Sequence, residues 1–352
     1  MGCGAYLHGM PPLEPPSDAL LAPAQNAGLA DGHGRRFSYL RLSVTDRCNF
    51  RCTYCLPNGF KKQAGLAPEL SVEEMARAVR AFAALGLWKL RLTGGEPTVR
   101  HDFTAIARAL AEVPGVRRLA MTTNGYRLAE RAQEWRDAGL HAVNVSIDTL
   151  DPAGFARITG HDRLAEVVRG VGRAVETGFD AVKVNTVLMS GLDDAEWDRI
   201  RAFVADRPVA WRFIELMRTN DNADWQAGEA QSGDLVRARL AREGWVAMPR
   251  KAGAGPAVDY AHPDFAGTIG LIAPYAHGFC DNCNRLRLSS RGKLHLCLFG
   301  EGGLDLRPLL QHDDQHEKLI AAIRRAMPDK VAGHRLRDGD SGATPHLASI
   351  GG

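Results

Sequence analysis

Three cysteines stand close together in the stretch Cys48-Asn49-Phe50-Arg51-Cys52-Thr53-Tyr54-Cys55. Thiolates at Cys-x3-Cys-x2-Cys spacing can ligate one metal centre without help from the distant chain. A cubane iron–sulfur cluster has four irons, so three thiolates leave one iron free for an exogenous ligand. An open coordination position separates a catalytic metal site from a closed structural one, a rule stated for zinc that carries over by analogy. Zinc knuckles pair Cys-x2-Cys elements into four ligands, and redox dithiols need two sulfurs. The triple fits neither well. Tyr54, inside the motif, is an aromatic ring that could pack on a bound adenine.

A second triple, Cys280-x2-Cys283-x13-Cys297, lies far along the chain. Here zinc is the strongest alternative, because Cys-x2-Cys is a knuckle element. His295 would supply a fourth ligand if it shared a strand face with Cys297 at i, i+2. Arg285 and Arg287 follow the second cysteine and alternate onto one face. Arg41, Arg91, Lys183 and Arg212 lie on other strand-like runs. Arginine matches phosphate with its planar fork, and lysine acts as a point charge. A single such cation is usually a surface ion pair; six at strand positions point to an anionic ligand. No Gly-x4-Gly-Lys-Ser/Thr loop is present, so a nucleotide here is not held as a P-loop enzyme holds it. His-Glu-x-x-His and Gly-x-Ser-x-Gly are also missing.

The elements that must position these groups show a strand-then-helix rhythm. Strand-like runs are Tyr39–Val44, Trp88–Thr93, Arg117–Thr122, Ala142–Ile147, Ala181–Leu188 and Ala210–Leu216. Helix-like segments between them are Ser71–Leu85, Asp102–Glu112, Leu128–Ala138, Leu164–Thr177 and Asp193–Ala205. Ser71 followed by Glu74 reads as a capping box. Repeated βα units imply a parallel sheet with helices outside. Each strand alternates an apolar row with a polar one, as Leu40, Leu42 and Val44 alternate with Arg41 and Ser43. Successive residues face opposite sides, so the polar rows line a shared interior. The expected fold class is α/β: an incomplete (βα)6 TIM-like barrel, with a smaller C-terminal α+β region carrying the second triple. In such folds the site lies at the carboxyl ends of the strands, and the first triple follows strand one. Later expectations are a helix over Ser232–Glu243, short strands near Trp245–Met248, Thr268–Ile272, Leu286–Ser289 and Lys293–Leu296, and helices near Leu304–Leu310 and Asp314–Ala326. Ser289 to Lys293 reads as a hairpin turn. The domains are then a flexible, proline-rich leader (1–33), the partial barrel (34–220) and the C-terminal region (221–352).

Composition narrows the class. Lys+Arg 44 against Asp+Glu 41 leaves a net charge of +3, so any strong positive field is local. The 7 cysteines divide into two triples and Cys3, which is not an even disulfide framework and suits a reducing compartment. No apolar run is long enough for a membrane span. Met1-Gly2 lacks Ser or Thr at position 6, where Tyr6 stands. Arg35-Arg36-Phe37 lacks the apolar stretch of a twin-arginine signal. The expected location is cytoplasmic, with neither membrane nor nucleic acid as partner.

The Cys-x3-Cys-x2-Cys motif with an aromatic before its last cysteine resembles the signature of the radical S-adenosylmethionine (SAM) superfamily. The string YLRLSVTDRCNFRCTYCLP, with RLTGGEP, FCDNCNRLR and the terminal Gly351-Gly352, is similar to one branch, the GTP 3′,8-cyclases of molybdenum cofactor biosynthesis. The resemblance runs from about Gly34 to Gly352. It implies a lyase with two 4Fe-4S clusters, one on Cys48, Cys52 and Cys55 that binds SAM, and one on Cys280, Cys283 and Cys297 that binds the substrate base. It implies SAM contacts at Tyr54, Gly95, Ser146 and Met217. It implies GTP contacts at Arg41, Arg91, Thr122, Lys183, Arg285 and Arg287, with Arg212 a further strand cation taken to face the same ligand. Arg41, Arg285, Arg287, Gly351 and Gly352 are the expected catalytic positions. In the implied chemistry an electron cleaves SAM to a 5′-deoxyadenosyl radical, which removes the 3′ hydrogen of GTP, and the ribose carbon closes on C8 of guanine. Implied partners are GTP, SAM, an electron donor such as a flavodoxin or ferredoxin, and a pterin synthase downstream; the chain is expected to be a monomer or homodimer. The alternatives are a peptide-modifying radical SAM enzyme with an auxiliary cluster, and a zinc-stabilised nucleotide-binding module.

Overall fold

The computed structural model describes residues 28–61, 65–251, 253–343 and 347–350. The expected rhythm is present. Strands β1 (Tyr39–Thr45), β2 (Lys89–Gly94), β3 (Arg118–Thr123), β4 (Ala142–Ser146), β5 (Ala181–Leu188) and β6 (Val209–Glu215) follow one another in parallel. Between them run α1 (Val72–Ala84), α2 (Phe103–Ala111), α3 (Leu128–Asp137), α4 (Pro152–Thr159), α5 (Leu164–Glu176) and α6 (Asp194–Ala205). Helix α1 starts at the foreseen capping box: Ser71 Oγ accepts from the Glu74 N–H at 3.2 Å, and the Glu74 carboxylate accepts from the Ser71 N–H at 2.8 Å.

The C-terminal region adds strands to both edges of the same sheet. After α7 (Ala223–Glu229) and α8 (Gly233–Arg242), a meander of β7 (Val246–Ala247), β8 (Val258–Ala261) and β9 (Thr268–Ile272) adds β9 parallel to β6. On the opposite edge, β10 (Arg285–Leu288) lies parallel to β1, and β11 (Lys293–His295) and β12 (Leu304–Asp305) continue it antiparallel. The sheet has 12 strands, in the order β12-β11-β10-β1-β2-β3-β4-β5-β6-β9-β8-β7, and it is open, with β12 and β7 at its edges. The expected hairpin is there: the Ser289 N–H donates to the Lys293 carbonyl, and Gly292 takes φ +87°, where a side chain is strained.

Apolar rows form the core. Leu42, Val44, Leu92, Val143, Val145, Ile147 and Val184 have no exposed surface. Helix α9 (His316–Ala326) packs beside α1 and buries Leu319 and Ile323. The helix expected over Leu304–Leu310 is instead β12 followed by a 3-10 turn at Arg307–Leu309. Pro308 allows only a first helical turn, and the cross-strand partners on β11 claim Leu304 and Asp305. Of the expected leader, residues 28–33 are described, and they pack: Leu29 is buried, and its backbone bonds to Leu85 and Phe37. Cys3 lies outside the described residues. No helix among those residues is long and apolar enough to cross a membrane.

Candidate active site

The first triple leaves the carboxyl end of β1. Glycines make that exit possible. A side chain on Gly95 would put its Cβ 2.3 Å from the Arg47 carbonyl, and one on Gly94 2.2 Å from the Thr45 carbonyl. The glycine pair thus lets β2 press against the segment that enters the cysteine loop. Glu96 finishes the joint from a fully buried position, accepting from the Thr98 and Thr123 hydroxyls and the Asn124 N–H. Burial raises its pKa, and those hydrogen bonds work against the rise.

Helix α4, which the sequence reading did not foresee, anchors the loop from the other side. The Arg51 and Thr53 N–H groups donate to the carbonyls of Thr159 and Ile158 at 2.9 and 3.0 Å. Buried Phe50 meets Phe155 edge-on at 6.2 Å and stacks on His161 at 5.0 Å. Cys48, Cys52 and Cys55 are half-buried. Burial pushes Cys48 up to about 11, with Glu96 adding to the rise, and Cys55 up to about 12, with Cys48 adding. Burial, Asp148 and the two other cysteines raise Cys52 as well. Burial here disfavours bare thiolates, so the three soft donors suit a positively charged iron centre that offsets their charge. Tyr54 donates its hydroxyl to Asp148 Oδ2 at 3.0 Å, and burial holds Asp148 up at about 6. Buried Asn222 bridges the Tyr54 and Met217 carbonyls at 3.3 and 3.2 Å, joining the cysteine loop to the turn after β6.

The polar rows of the strands open onto one chamber of about 1170 Å³, its mouth included. Its lining holds Arg41, Arg91, Thr122, Lys183, Arg212, Arg285, Arg287 and Met217, together with Cys280, Cys283 and Cys297. Expected positions from both halves of the chain therefore meet at one cavity. Ser146 ends β4, in register with Asn185 of the lining. The chamber also takes in Tyr39, Lys89 and Lys330, which the sequence reading missed. Lys89 shares a strand face with Arg91 two residues on, a signal that was available. Lys330 follows α9 and had no such signal; its ammonium is buried 5.2 Å from the Phe37 ring centre and bonds to the Leu296 carbonyl. The described lining residues include no Asp or Glu, and Asp259, behind them, pairs with one of these eight cations, Arg212.

The cations are not equivalent. Arg212 is paired through both nitrogens with Asp259 of β8, at 2.8 and 2.5 Å. Arg91 donates to the Tyr39 hydroxyl, to the Met121 carbonyl at 3.1 Å and to Thr122 Oγ1 at 3.3 Å. Burial lowers Lys183 far below its usual range, and Arg212, Arg91 and Lys89 press it further. Burial lowers Lys89 to about 8 and Arg41 to about 10. A site that strains its own cations in this way is built to receive negative charge. Asn144 Oδ1 and Asn185 Oδ1, on the same wall, are buried acceptors with no partner among the described residues.

The two cysteine sites differ in field. Burial raises the Cys283 thiol, but Arg285, Lys330 and Arg35 outweigh that effect and bring it down. Arg35 is a clamp that sequence reading did not foresee. It pairs with Asp31 at 2.7 Å and donates to the carbonyls of Cys280, Val331 and Ala332 at 3.1, 2.7 and 2.5 Å. Strand β11 ends at His295, before Cys297, so the two do not share the strand face expected of them. The His295 ring bonds to the Gly302 backbone, and burial holds it down at about 4. Among the described residues no three His, Cys, Asp or Glu side chains are placed to hold a single metal ion. Three thiols beside cations fit an anionic iron–sulfur centre better than a lone zinc ion.

The 3-10 turn at Leu347–Ile350 packs against β1 and β2. The Ala348 N–H donates to Cys55, and Ile350 accepts from Arg287. Gly351 and Gly352, expected to act here, lie outside the described residues.

Comparison with known proteins shows which family the chain resembles. A model of the radical SAM superfamily matches residues 42–204, and one described as Molybdenum Cofactor Synthesis C matches residues 209–336. The chain is 53% identical over 328 residues to the GTP 3′,8-cyclase of Aeromonas hydrophila subsp. hydrophila, covering 92% of this chain and 96% of that one. To the GTP 3′,8-cyclase of Stenotrophomonas maltophilia it is 52% identical over 324 residues, covering 92% and 99%. Among solved structures, Streptococcus suis SuiB bound to S-adenosylmethionine superposes with a TM-score of 0.56 at 14% identity, over 82% of this chain and 68% of that one. That last likeness is one of fold.

Proposed function

Since this chain belongs to the GTP 3′,8-cyclase family of radical SAM enzymes, we propose that it converts GTP to (8S)-3′,8-cyclo-7,8-dihydroguanosine 5′-triphosphate while cleaving SAM to 5′-deoxyadenosine and methionine, the first step of molybdenum cofactor biosynthesis. The observation that carries this reading is the chamber: eight cations and the second cysteine triple line one cavity whose described residues include no carboxylate. A polyanion that also presents a heterocyclic base fits both features at once.

Cys48, Cys52 and Cys55 would hold one 4Fe-4S cluster, and Cys280, Cys283 and Cys297 the other. When bound, the first cluster supplies the electron that cleaves SAM and starts radical chemistry at the GTP ribose. The protein binds, orients and excludes water. Gly95, Tyr54, Ser146 and Met217 serve the SAM side, where Asp148 and Asn222 fix the cysteine loop. Arg41, Lys89, Arg91, Lys183, Arg285 and Arg287 bind the triphosphate, with Thr122 beside Arg91. Arg212 shares its charge with Asp259 and so contributes less. Anchored at both its phosphates and its base, the substrate holds its ribose in one orientation, which is how positioning lowers a barrier. The segment at Ala348 to Ile350 ties Cys55 of the first triple to Arg287 of the chamber, and Gly351 and Gly352 act in cyclisation. The electron comes from a small reducing protein such as a flavodoxin or ferredoxin, the product passes to a pterin synthase, and the chain works in the cytoplasm as a monomer or homodimer.

The test is anaerobic turnover with SAM and reductant, comparing GTP with ATP and with guanosine. GTP alone should give cyclised product together with 5′-deoxyadenosine. SAM cleavage without cyclised GTP would overturn the substrate assignment.

A further inference from the structure

Among the described residues, a phenol partners the chamber's cations on β1 and β2. Tyr39 is the first residue of β1, in register with Lys89 on β2 and Arg285 on β10. It is 4% exposed, and its hydroxyl oxygen accepts from Arg91 Nε. The Lys89 ammonium sits 4.8 Å from its ring centre, and the Arg91 guanidinium carbon 6.0 Å. Arg41, two residues along the same face, also bonds to it. Arg287 on β10 lies within range of its charge. From β3, Arg118 acts on Lys89 and thereby adds to the positive field. Asp259, a carboxylate beside this wall, is engaged by Arg212.

We propose that Tyr39 is the counter-anion of this phosphate chamber, and that it takes up a proton and becomes a hydrogen-bond donor when a polyphosphate enters. The reasoning is electrostatic. With no phosphate present, the guanidiniums of Arg91 and Arg41 and the ammonium of Lys89 favour the phenolate oxygen, which holds them in place. Burial by itself raises the phenol, but Arg91, Arg41 and Lys89 together bring it down to about 7. An arriving polyphosphate binds the same cations and repels a phenolate beside it. A solvent proton then neutralises the oxygen, and the O–H turns to the incoming phosphate. Tyr39 is thus a positioning residue: it preorders the phosphate-binding cations and yields their charge to the ligand.

This inference rests on reading the chamber as the GTP site, and the experiment separates the two. The anaerobic holoenzyme, with clusters oxidised and tyrosines labelled with 13C at the phenolic carbon, is observed by NMR at pH 8. The Tyr39 resonance is assigned by its loss in Tyr39→Phe, a variant that deletes one oxygen. Expected is a phenolate position without nucleotide, a phenol position with GTP or inorganic tripolyphosphate, and no change with SAM. A resonance at the phenol position throughout, or at the phenolate position throughout, overturns the proposal. If tripolyphosphate moves the resonance but the wild type does not cyclise GTP, the substrate reading fails and the role of Tyr39 stands. Tyr39→Phe should still cyclise GTP, with the loss falling mainly on KM.

Discussion

Arg287 donates from Nη1 to the Ile350 carbonyl at 3.2 Å, and both residues are buried. Two residues earlier, the Ala348 N–H donates to Cys55 of the first triple. Arg287 belongs to the strand that follows Cys283 and lines the chamber with the second triple, so this short segment links the first triple to that chamber. A frayed terminus makes no such contacts.

Deleting Gly351 and Gly352 therefore tests whether the segment works or merely packs. Folding, both clusters and SAM binding should survive, because Ala348 and Ile350 remain. GTP cyclisation should fall strongly, with uncoupled SAM cleavage persisting. Anaerobic turnover beside the full chain, with iron measured on both, gives the answer; unchanged cyclisation at equal iron would show the pair to be inert.

Arg287→Ala should weaken GTP far more than SAM. A charge-assisted contact is worth about 1.5–3 kcal/mol, so roughly a tenfold to hundredfold loss of GTP affinity is expected. Equal weakening of both ligands would indicate that releasing Ile350 disorders the whole site.

The two triples should be separable. Cys48→Ser should abolish SAM cleavage, since three ligands leave no spare thiolate. Cys280→Ser should remove cyclisation and about half the iron while leaving the first cluster's spectrum intact. Near-normal cyclised product from the second variant would reduce the second triple to a structural role.

Arg35→Ala should damage the second site selectively. The Arg35–Asp31 pair is buried, with side-chain exposures of 7% and 0%. Removing one partner of such a pair costs about 3–5 kcal/mol and here also frees the Cys280, Val331 and Ala332 carbonyls. Iron content should drop toward that of Cys280→Ser, with 5′-deoxyadenosine formation retained. Full iron loading at unchanged thermal stability would refute the clamp.

Local spacing made much of this protein legible without coordinates. Ligands that are three and four residues apart announce themselves, because no tertiary contact is needed to bring Cys48, Cys52 and Cys55 together. The β1–β6 rows were legible for the same reason: alternation is a property of the strand, so Arg41, Arg91, Lys183 and Arg212 had to share an interior once the sheet formed. The capping box at Ser71 is likewise written within four residues.

What the sequence left undecided depends on chain segments that meet only in the fold. The C-terminal strands carry too little βα rhythm to show that β9 and β10 extend opposite edges of one sheet. Only those additions bring Cys280, Cys283 and Cys297 into one chamber with Lys183. Arg35, read as part of a possible targeting string, becomes a clamp because Asp31 and three carbonyls surround it. Arg212, read as a free phosphate ligand, is half spent on Asp259, a partner 47 residues away. Tyr39, read as the start of a strand, acquires its charge from Lys89, Arg91 and Arg41. A side chain's type is fixed by the sequence, but the field that decides its protonation and its partner comes from groups distant along the chain, and those are assembled only when the strands come together in one sheet.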